Sequence, residues 1–301
     1  MKTREMRGNI LLLITAMIWG CAFVAQSVAA DYVGAFTFLA ARSLLGGLVL
    51  LPFILGRTLR RKREGTYRKP TAKETKTLWI GGLLCGTSLC IASALQQIGI
   101  AYTTVGNAGF ITAMYIVIVP IFGLFLGKKA GGRLGISVAV AVVALYLLSI
   151  GEGFSVSRGD LLMMLCAVMF AVQILLVDRY SPQVDGVQLA CIQFFVGAVL
   201  SGVMMLIFEK PTVAAVSAAW LPIAYAGLLS SGVAYTFQIL AQKYTRPPVA
   251  SLRKRLESVF AVLAAAVVLH QIPTLREGIG CLLMFAAIIL VQLPDRRSRH
   301  A

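Results

Sequence analysis

The sequence predicts an all-α polytopic membrane protein, with ten transmembrane helices arranged as two inverted five-helix repeats. Three observations lead there. Of 301 residues, 58% are hydrophobic and only 13% charged, and the mean hydropathy is +0.84, whereas soluble domains carry about 25% charged residues. The apolar residues gather into ten runs of about 20, the length that crosses a hydrocarbon layer. The chain is also similar to itself at a shift of 142–151 positions. A soluble enzyme or soluble binding domain of this composition would lack the polar surface to cover itself.

The runs lie near 8–29, 33–55, 77–98, 105–127, 134–151, 159–177, 186–208, 219–241, 249–269 and 275–292. Connections between them are short except at 56–76, which leaves no room for a soluble domain. The first run follows a basic start and ends in Ser27-Val-Ala-Ala30 before Asp31, which imitates a cleavable leader. It is longer than a leader core of about 7–15 residues, and it has a counterpart in the second half, so it is read as the first span.

Basic residues set the expected direction. With the N-terminus in the cytoplasm, that side holds Lys2, Arg4 and Arg7, all nine cations from Arg57 to Lys76, Lys128, Lys129 and Arg133, Arg179, the five from Lys243 to Arg255, and Arg296, Arg297 and Arg299. The opposite side holds Arg158, Lys210 and Arg276 alone, and Arg42 falls inside a span. The positive-inside bias therefore places both termini in the cytoplasm. The run from Arg57 to Lys76 reads as a topogenic loop that can also touch anionic headgroups. Net charge is +16, but its scatter between apolar runs argues against a nucleic-acid partner.

Six cysteines (Cys21, Cys85, Cys90, Cys166, Cys191, Cys281) sit within apolar runs without a C-x-x-C pair, and the two histidines are His270 and His300. No metal site, disulfide framework or cofactor is expected. With no histidine in mid-span and no acid pair there, the set of groups that membrane enzymology needs is missing. No filter tract or ring of charge marks a channel either. Channel and membrane-embedded enzyme are therefore the alternatives to a carrier, and a carrier is favoured.

The self-similarity sets Gly8-Asn-Ile-Leu-Leu-Leu13 over Gly159-Asp-Leu-Leu-Met-Met164, Ala16-Met-Ile-Trp19 over Ala167-Val-Met-Phe170, and Arg42-Ser-Leu-Leu-Gly46 over Gln193-Phe-Phe-Val-Gly197. Ala101-Tyr-Thr103 lies over Lys243-Tyr-Thr245. The units are 1–151 and 152–301. Five spans is an odd number, so the second copy enters the membrane upside down, a layout typical of transporters with a midplane site. Two inequivalent shapes exchanged between the copies would open the protein alternately to each side.

Several motifs in order resemble the EamA-type transporters of the drug/metabolite transporter superfamily. They are Trp19-Gly20 with Phe23-Val24, Phe38-Leu-Ala-Ala-Arg42, the run Asn107–Pro120 that includes Tyr115, and Leu256-Glu257-Ser-Val-Phe-Ala261. The resemblance covers nearly the whole chain. It implies a ten-helix inner-membrane carrier that exports small organic metabolites, amino acids or drug-like solutes. The chain departs from the family at Leu126-Gly-Lys128 and Leu269-His-Gln271, where Leu-Gly-Glu is usual, and at Arg253-Lys-Arg255, where the ninth span normally begins apolar.

The expected substrate-binding residues are Trp19, Arg42, Thr112, Tyr115 and Glu257. Arg42 lies about 13 Å into its span by helical rise. A guanidinium at that depth needs partners: a substrate carboxylate or phosphate, backbone carbonyls, or Glu257. Glu257, about 12 Å deep, can bind an amino group, carry a proton, or pair with Arg253 one turn away. Trp19 and Tyr115 offer apolar area with a polar tip, either to a cavity or to packed core, and Thr112 shares the face of Tyr115. Gln96, Gln173, Gln193, Tyr235 and Gln238 are secondary, since amides in spans often cross-link helices. Gly82-x-x-x-Gly86 and Gly123-x-x-x-Gly127 predict close helix crossings within the chain. Pro120 predicts a kink in the fourth span. The small-solute carrier is expected to act as a monomer or a homodimer.

Overall fold

In the computed structural model, the described residues are 2–125, 133–149, 157–237 and 256–292. Every regular element among them is a helix. In chain order these are α1 (Lys2–Ala30), α2 (Ala35–Arg63), α3 (Ala72–Ile100), α4 (Val105–Thr112), α5 (Tyr115–Phe125), α6 (Arg133–Ser149), α7 (Arg158–Tyr180), a 3₁₀ turn (Ser181–Gln183), α8 (Gly186–Phe208), α9 (Val213–Ala218) and α10 (Trp220–Ala224). A π-helical segment, Tyr225–Ala234, continues α10, and α11 (Leu256–Val268) and α12 (Leu275–Gln292) follow.

Local chemistry explains most of the starts. Buried helix ends leave backbone N–H groups that need acceptors, and short hydroxyl or carboxylate side chains supply them. Thr71 and Glu74 form a reciprocal capping box at α3, with Thr71 N donating to Glu74 Oε2 at 2.7 Å. Thr104 caps α4, Ser157 caps α7 and Thr212 caps α9 through N–H donors three residues on. Asp185 Oδ1 accepts from Val187 N at α8. α2 starts differently: its N-cap is Gly34, which has no side chain to offer.

Six segments are long and apolar enough to cross a membrane: Ile10–Ala30, Ala35–Arg63, Ala72–Ile100, Val105–Phe125, Arg158–Gln183 and Gly186–Phe208. Leu134–Ser149 and Leu256–Val268 are shorter apolar helices. Their outer faces carry exposed Leu, Val, Ile and Phe, such as Leu206 at 76%. Water would not tolerate such a belt, but lipid does. The molecule is a multi-pass all-α membrane protein.

Helices pack in a defined set of pairs. α1 lies against α11 and the π segment, α2 against α8 and the π segment, and α3 against α7 and α8. α4 touches α7 and α11, α5 touches α7, and α6 runs along α12. The largest core joins Phe23 and Val24 of α1, Ile111 of α4, Val117 of α5, Ala261 and Ala265 of α11, and Met284 and Ile288 of α12. A second joins Leu50 of α2 to Val187, Ala190, Cys191 and Phe194 of α8.

Glycines set the closest crossings. A Cβ at Gly86 would stand 2.7 Å from Val196 Cβ and 3.1 Å from Gln193 Cα, and one at Gly82 would overlap Ile192. The G-x-x-x-G pair of α3 therefore seats α8 within the same chain. Gly127 lies outside the described residues, as do Arg253–Arg255, Gln238 and Lys128. In the fourth span the interruption comes earlier than proline chemistry alone suggests. The helix breaks at Ala113–Met114, where Met114 N donates to Ile111 O at 3.1 Å and Ile116 N to Ala113 O at 3.0 Å, while Pro120 sits inside α5. These tight i→i+3 bonds, not the missing proline N–H, separate α4 from α5.

Candidate functional site

α1 carries Trp19 to the π segment. Its Nε1 donates to the Ser230 carbonyl at 3.1 Å, and its ring meets that of Tyr235 edge-on at 5.8 Å. Tyr235 in turn packs edge-on against Phe194 of α8 at 5.3 Å. Such geometry suits ring quadrupoles. A π-helix widens the turn and redirects its carbonyls. Within this one, Ser231 Oγ donates to the Ala226 carbonyl, five residues back.

Arg42 faces the same group from α2. Its guanidinium carbon lies 5.9 Å from the centre of the Phe38 ring, one turn earlier, and it is close enough to Tyr235 to interact electrostatically. Among the described residues, no carboxylate forms an ion pair with Arg42. An aromatic face attracts a cation but supplies no acceptor atom. Trp19, Arg42, Phe38, Tyr235 and Phe194 thus form one aromatic and cationic group contributed by α1, α2, α8 and the span that contains the π segment.

Thr112 and Tyr115 belong to a second group, on either side of the break between α4 and α5. Gln96 Nε2 of α3 donates to Thr112 Oγ1 at 3.4 Å, and Thr112 Oγ1 lies 3.6 Å from Met163 Sδ of α7. The Tyr115 ring is 6.3 Å from that of Phe170 on α7. Thr112 is buried, whereas Tyr115 is half-buried.

Glu257 rides on α11 between these groups. The Glu257 carbonyl would lie 2.7 Å from a Cβ at Gly20, and Phe260 Cβ 2.5 Å from it. Only a residue without a side chain lets α11 press on α1 here, next to Trp19. The neighbouring Ser258 Oγ donates to the Gly109 carbonyl of α4 at 3.1 Å, one turn before Thr112. So α11 is held to the helices that carry both groups, and Glu257 is half-buried where they meet.

Two secondary candidates act as cross-links. Gln173 Nε2 of α7 donates to Gln193 Oε1 of α8 at 3.0 Å, both buried. Gln97 Nε2 donates to the Gln26 carbonyl at 2.9 Å. Sequence reasoning missed Phe194 and the Ser230 carbonyl. Neither carries a local signal, since one is an apolar residue in an apolar run and the other is backbone. Among the described residues, no group of His, Cys, Asp and Glu is placed to hold a metal ion.

This assembly of half-buried aromatic and charged side chains within apolar helices can bind an organic solute with polar ends. Comparison with known proteins places the chain among transporters. An uncharacterized transporter of Archaeoglobus fulgidus is 29% identical over 291 residues, covering 96% of this chain and 87% of that protein. The uncharacterized transporter YvbV of Bacillus subtilis is 24% identical, covering 98% and 94%. A solved crystal structure shares the fold with a TM-score of 0.66 at 20% identity, over 97% of this chain and 98% of that one. The EamA-like transporter family matches residues 6–150 and again 157–293. The chain belongs to the EamA-like transporter family.

Proposed function

We propose that the protein is an alternating-access carrier that exports a small organic solute, an amino acid or drug-like metabolite. In this reading ten spans form two inverted five-helix units, 1–151 and 152–301, with both termini in the cytoplasm. The observation that carries it is the pattern of helix pairs. Advance each span by five and the pairs exchange with one another. The contact of α1 with the π segment becomes that of α7 with α3. α1 with α11 becomes α7 with α4 and α5, and α2 with the π segment becomes α8 with α3. The pairs α2–α8, α6–α12 and α4–α11 return to themselves. Two equivalent bundles that meet along α2–α8 and α4–α11 are what a rocking carrier needs.

The site residues follow the same equivalence. Trp19 stands over Phe170, and in the register of Ala101 over Lys243, Tyr115 stands over Glu257. Arg42 stands over the neutral Gln193. The two charges are therefore additions of this chain to a shared aromatic frame. Arg42, lacking a carboxylate among the described residues, receives a substrate carboxylate. Glu257 receives its amino group, and Trp19, Tyr115 and Thr112 line the apolar middle.

The test is saturable counterflow in proteoliposomes across a panel of metabolites, with and without a proton gradient. A zwitterionic amino acid should exchange, and Arg42→Leu and Glu257→Gln should each lower exchange by tenfold or more, about 1.4 kcal/mol of substrate interaction. Full exchange in both variants would remove the assigned site. Non-saturable flux would make the protein a channel.

A further inference from the structure

α2 and α3 are each 29 residues long, about 43 Å by helical rise. The hydrocarbon layer is about 30 Å, so their joined ends stand clear of it. The hairpin they form turns at Gly65, whose φ of +66° only glycine adopts without strain. It carries nine cations, and the structure sorts them. Arg57 and Arg61 lie 3.3 and 3.8 Å from Asp185, Arg60 lies 2.7 Å from Glu64, and Arg68 lies 3.1 Å from Glu74. Lys62, Arg63, Lys69, Lys73 and Lys76 have no carboxylate partner among the described residues, and all five are exposed.

Their placement is ordered. On α3 the lipid-facing stripe of Leu83, Ile80 and Trp79, exposed at 52%, 41% and 57%, runs directly into Lys76 and Lys73. Tryptophan favours the boundary between hydrocarbon and headgroups. From Trp79, Lys76 and Lys73 lie about 4.5 and 9 Å further along the axis, at headgroup depth. On α2 the exposed Leu55 and Leu59 lead in the same way to Lys62 and Arg63.

We infer that Lys62, Arg63, Lys69, Lys73 and Lys76 form a collar that binds the headgroups of anionic phospholipids in the leaflet beside Trp79. The inference rests on the chain lying in a bilayer, and not on its substrate, direction or repeat structure. The occupant follows from charge complementarity and from continuity with the lipid-facing stripe: whatever meets these cations also meets Ile80 and Leu83, so it carries an anionic head on an apolar body. Soluble polyanions satisfy only the first half.

The chain has three tryptophans, which makes the test local. In a Trp220→Phe protein reconstituted in bilayers, quenching by brominated lipids reports on Trp79, with Trp19 as a constant background. Brominated phosphatidylglycerol should associate about fivefold more strongly than brominated phosphatidylcholine, and the preference should vanish in about 0.5 M salt. Lys69→Gln/Lys73→Gln/Lys76→Gln should cut the preference by half or more, because the collar cations nearest Trp79 are removed while Lys62 and Arg63 remain. These lysines hold no ion pair among the described residues, so the variant should unfold at the wild-type temperature. In a Trp79→Phe protein, Trp220 at the opposite end should show no preference. Equal quenching by the two lipids at Trp79, or a preference that the triple substitution leaves unchanged, would overturn the collar, whatever the transport assays show.

Discussion

The two ends of the α2–α8 seam solve one problem in opposite ways. Each end has a helix N-terminus with unpaired backbone N–H groups, and each has a carboxylate on it. At α8 the carboxylate is local: Asp185 accepts from Val187 N at 3.0 Å and Gln188 N at 3.4 Å, then reaches Arg57 and Arg61 at the far end of α2. At α2 it is borrowed. Glu209, just past the end of α8, accepts from Phe36 N at 2.9 Å, Thr37 N at 2.8 Å and Thr37 Oγ1 at 2.6 Å. The register that lays Arg42 over Gln193 also lays Gly34 over Asp185. A Cβ at Gly34 would overlap the Glu209 carboxylate. On the proposed two-unit reading, this position has diverged so that one copy caps itself and the other leaves a vacancy for its neighbour. A self-capped helix start stays satisfied when the helices part, whereas a borrowed cap is lost with the contact.

The comparison predicts unequal costs. Glu209→Ala strips three charge-assisted bonds and leaves donors without acceptors, so it should lower stability by about 2–3 kcal/mol, read as the midpoint of unfolding in denaturing detergent. Gly34→Asp added to Glu209→Ala rebuilds at α2 the arrangement found at α8, and should recover about 1 kcal/mol of that loss. No recovery would mean that Glu209 acts by joining helices and not by capping.

Gln193→Leu removes the buried bond to Gln173 and should cost about 0.6–1.7 kcal/mol without changing substrate selectivity. Arg42→Leu, at the equivalent position of the other copy, should do the reverse, altering transport with little loss of stability. Asp185→Asn keeps a good N-cap and deletes only half-exposed ion pairs, so it should cost under about 1 kcal/mol. That difference from wild type should shrink as salt rises.

Much of this was legible in the sequence because it is local. Apolar runs pointed to the helices, while the local caps at Thr71, Ser157 and Thr104 emerged only with the structure. The bond from Glu209 to α2 spans 173 positions and leaves no local pattern. The π segment, Tyr225-Ala-Gly-Leu-Leu-Ser-Ser-Gly-Val-Ala234, reads as ordinary small-residue helix. It is α2 pressing on Gly227 and Gly232 with Leu45 and Val49 that bears on its shape. Pro120 pointed to a distortion in the fourth span, yet the break falls at Ala113–Met114, near where Ser258 of α11 takes the Gly109 carbonyl. The candidate residues fell into two groups for the same reason. Depth along a helix can be counted from sequence, but which neighbour a side chain meets depends on crossings set by Gly20, Gly82 and Gly86.

The α2–α3 hairpin has one more consequence. The shift between the two copies falls from 151 at Arg42 and Gln193 to 142 at Ala101 and Lys243, so the first copy holds extra chain in this hairpin that the second lacks. If the molecule is built of antiparallel twins, as proposed above, such a pair by itself has no intrinsic top or bottom, and either insertion would be equally good. On that proposal this surplus, rich in cations, gives the pair a heavier foot, and with it a sense of which way to stand.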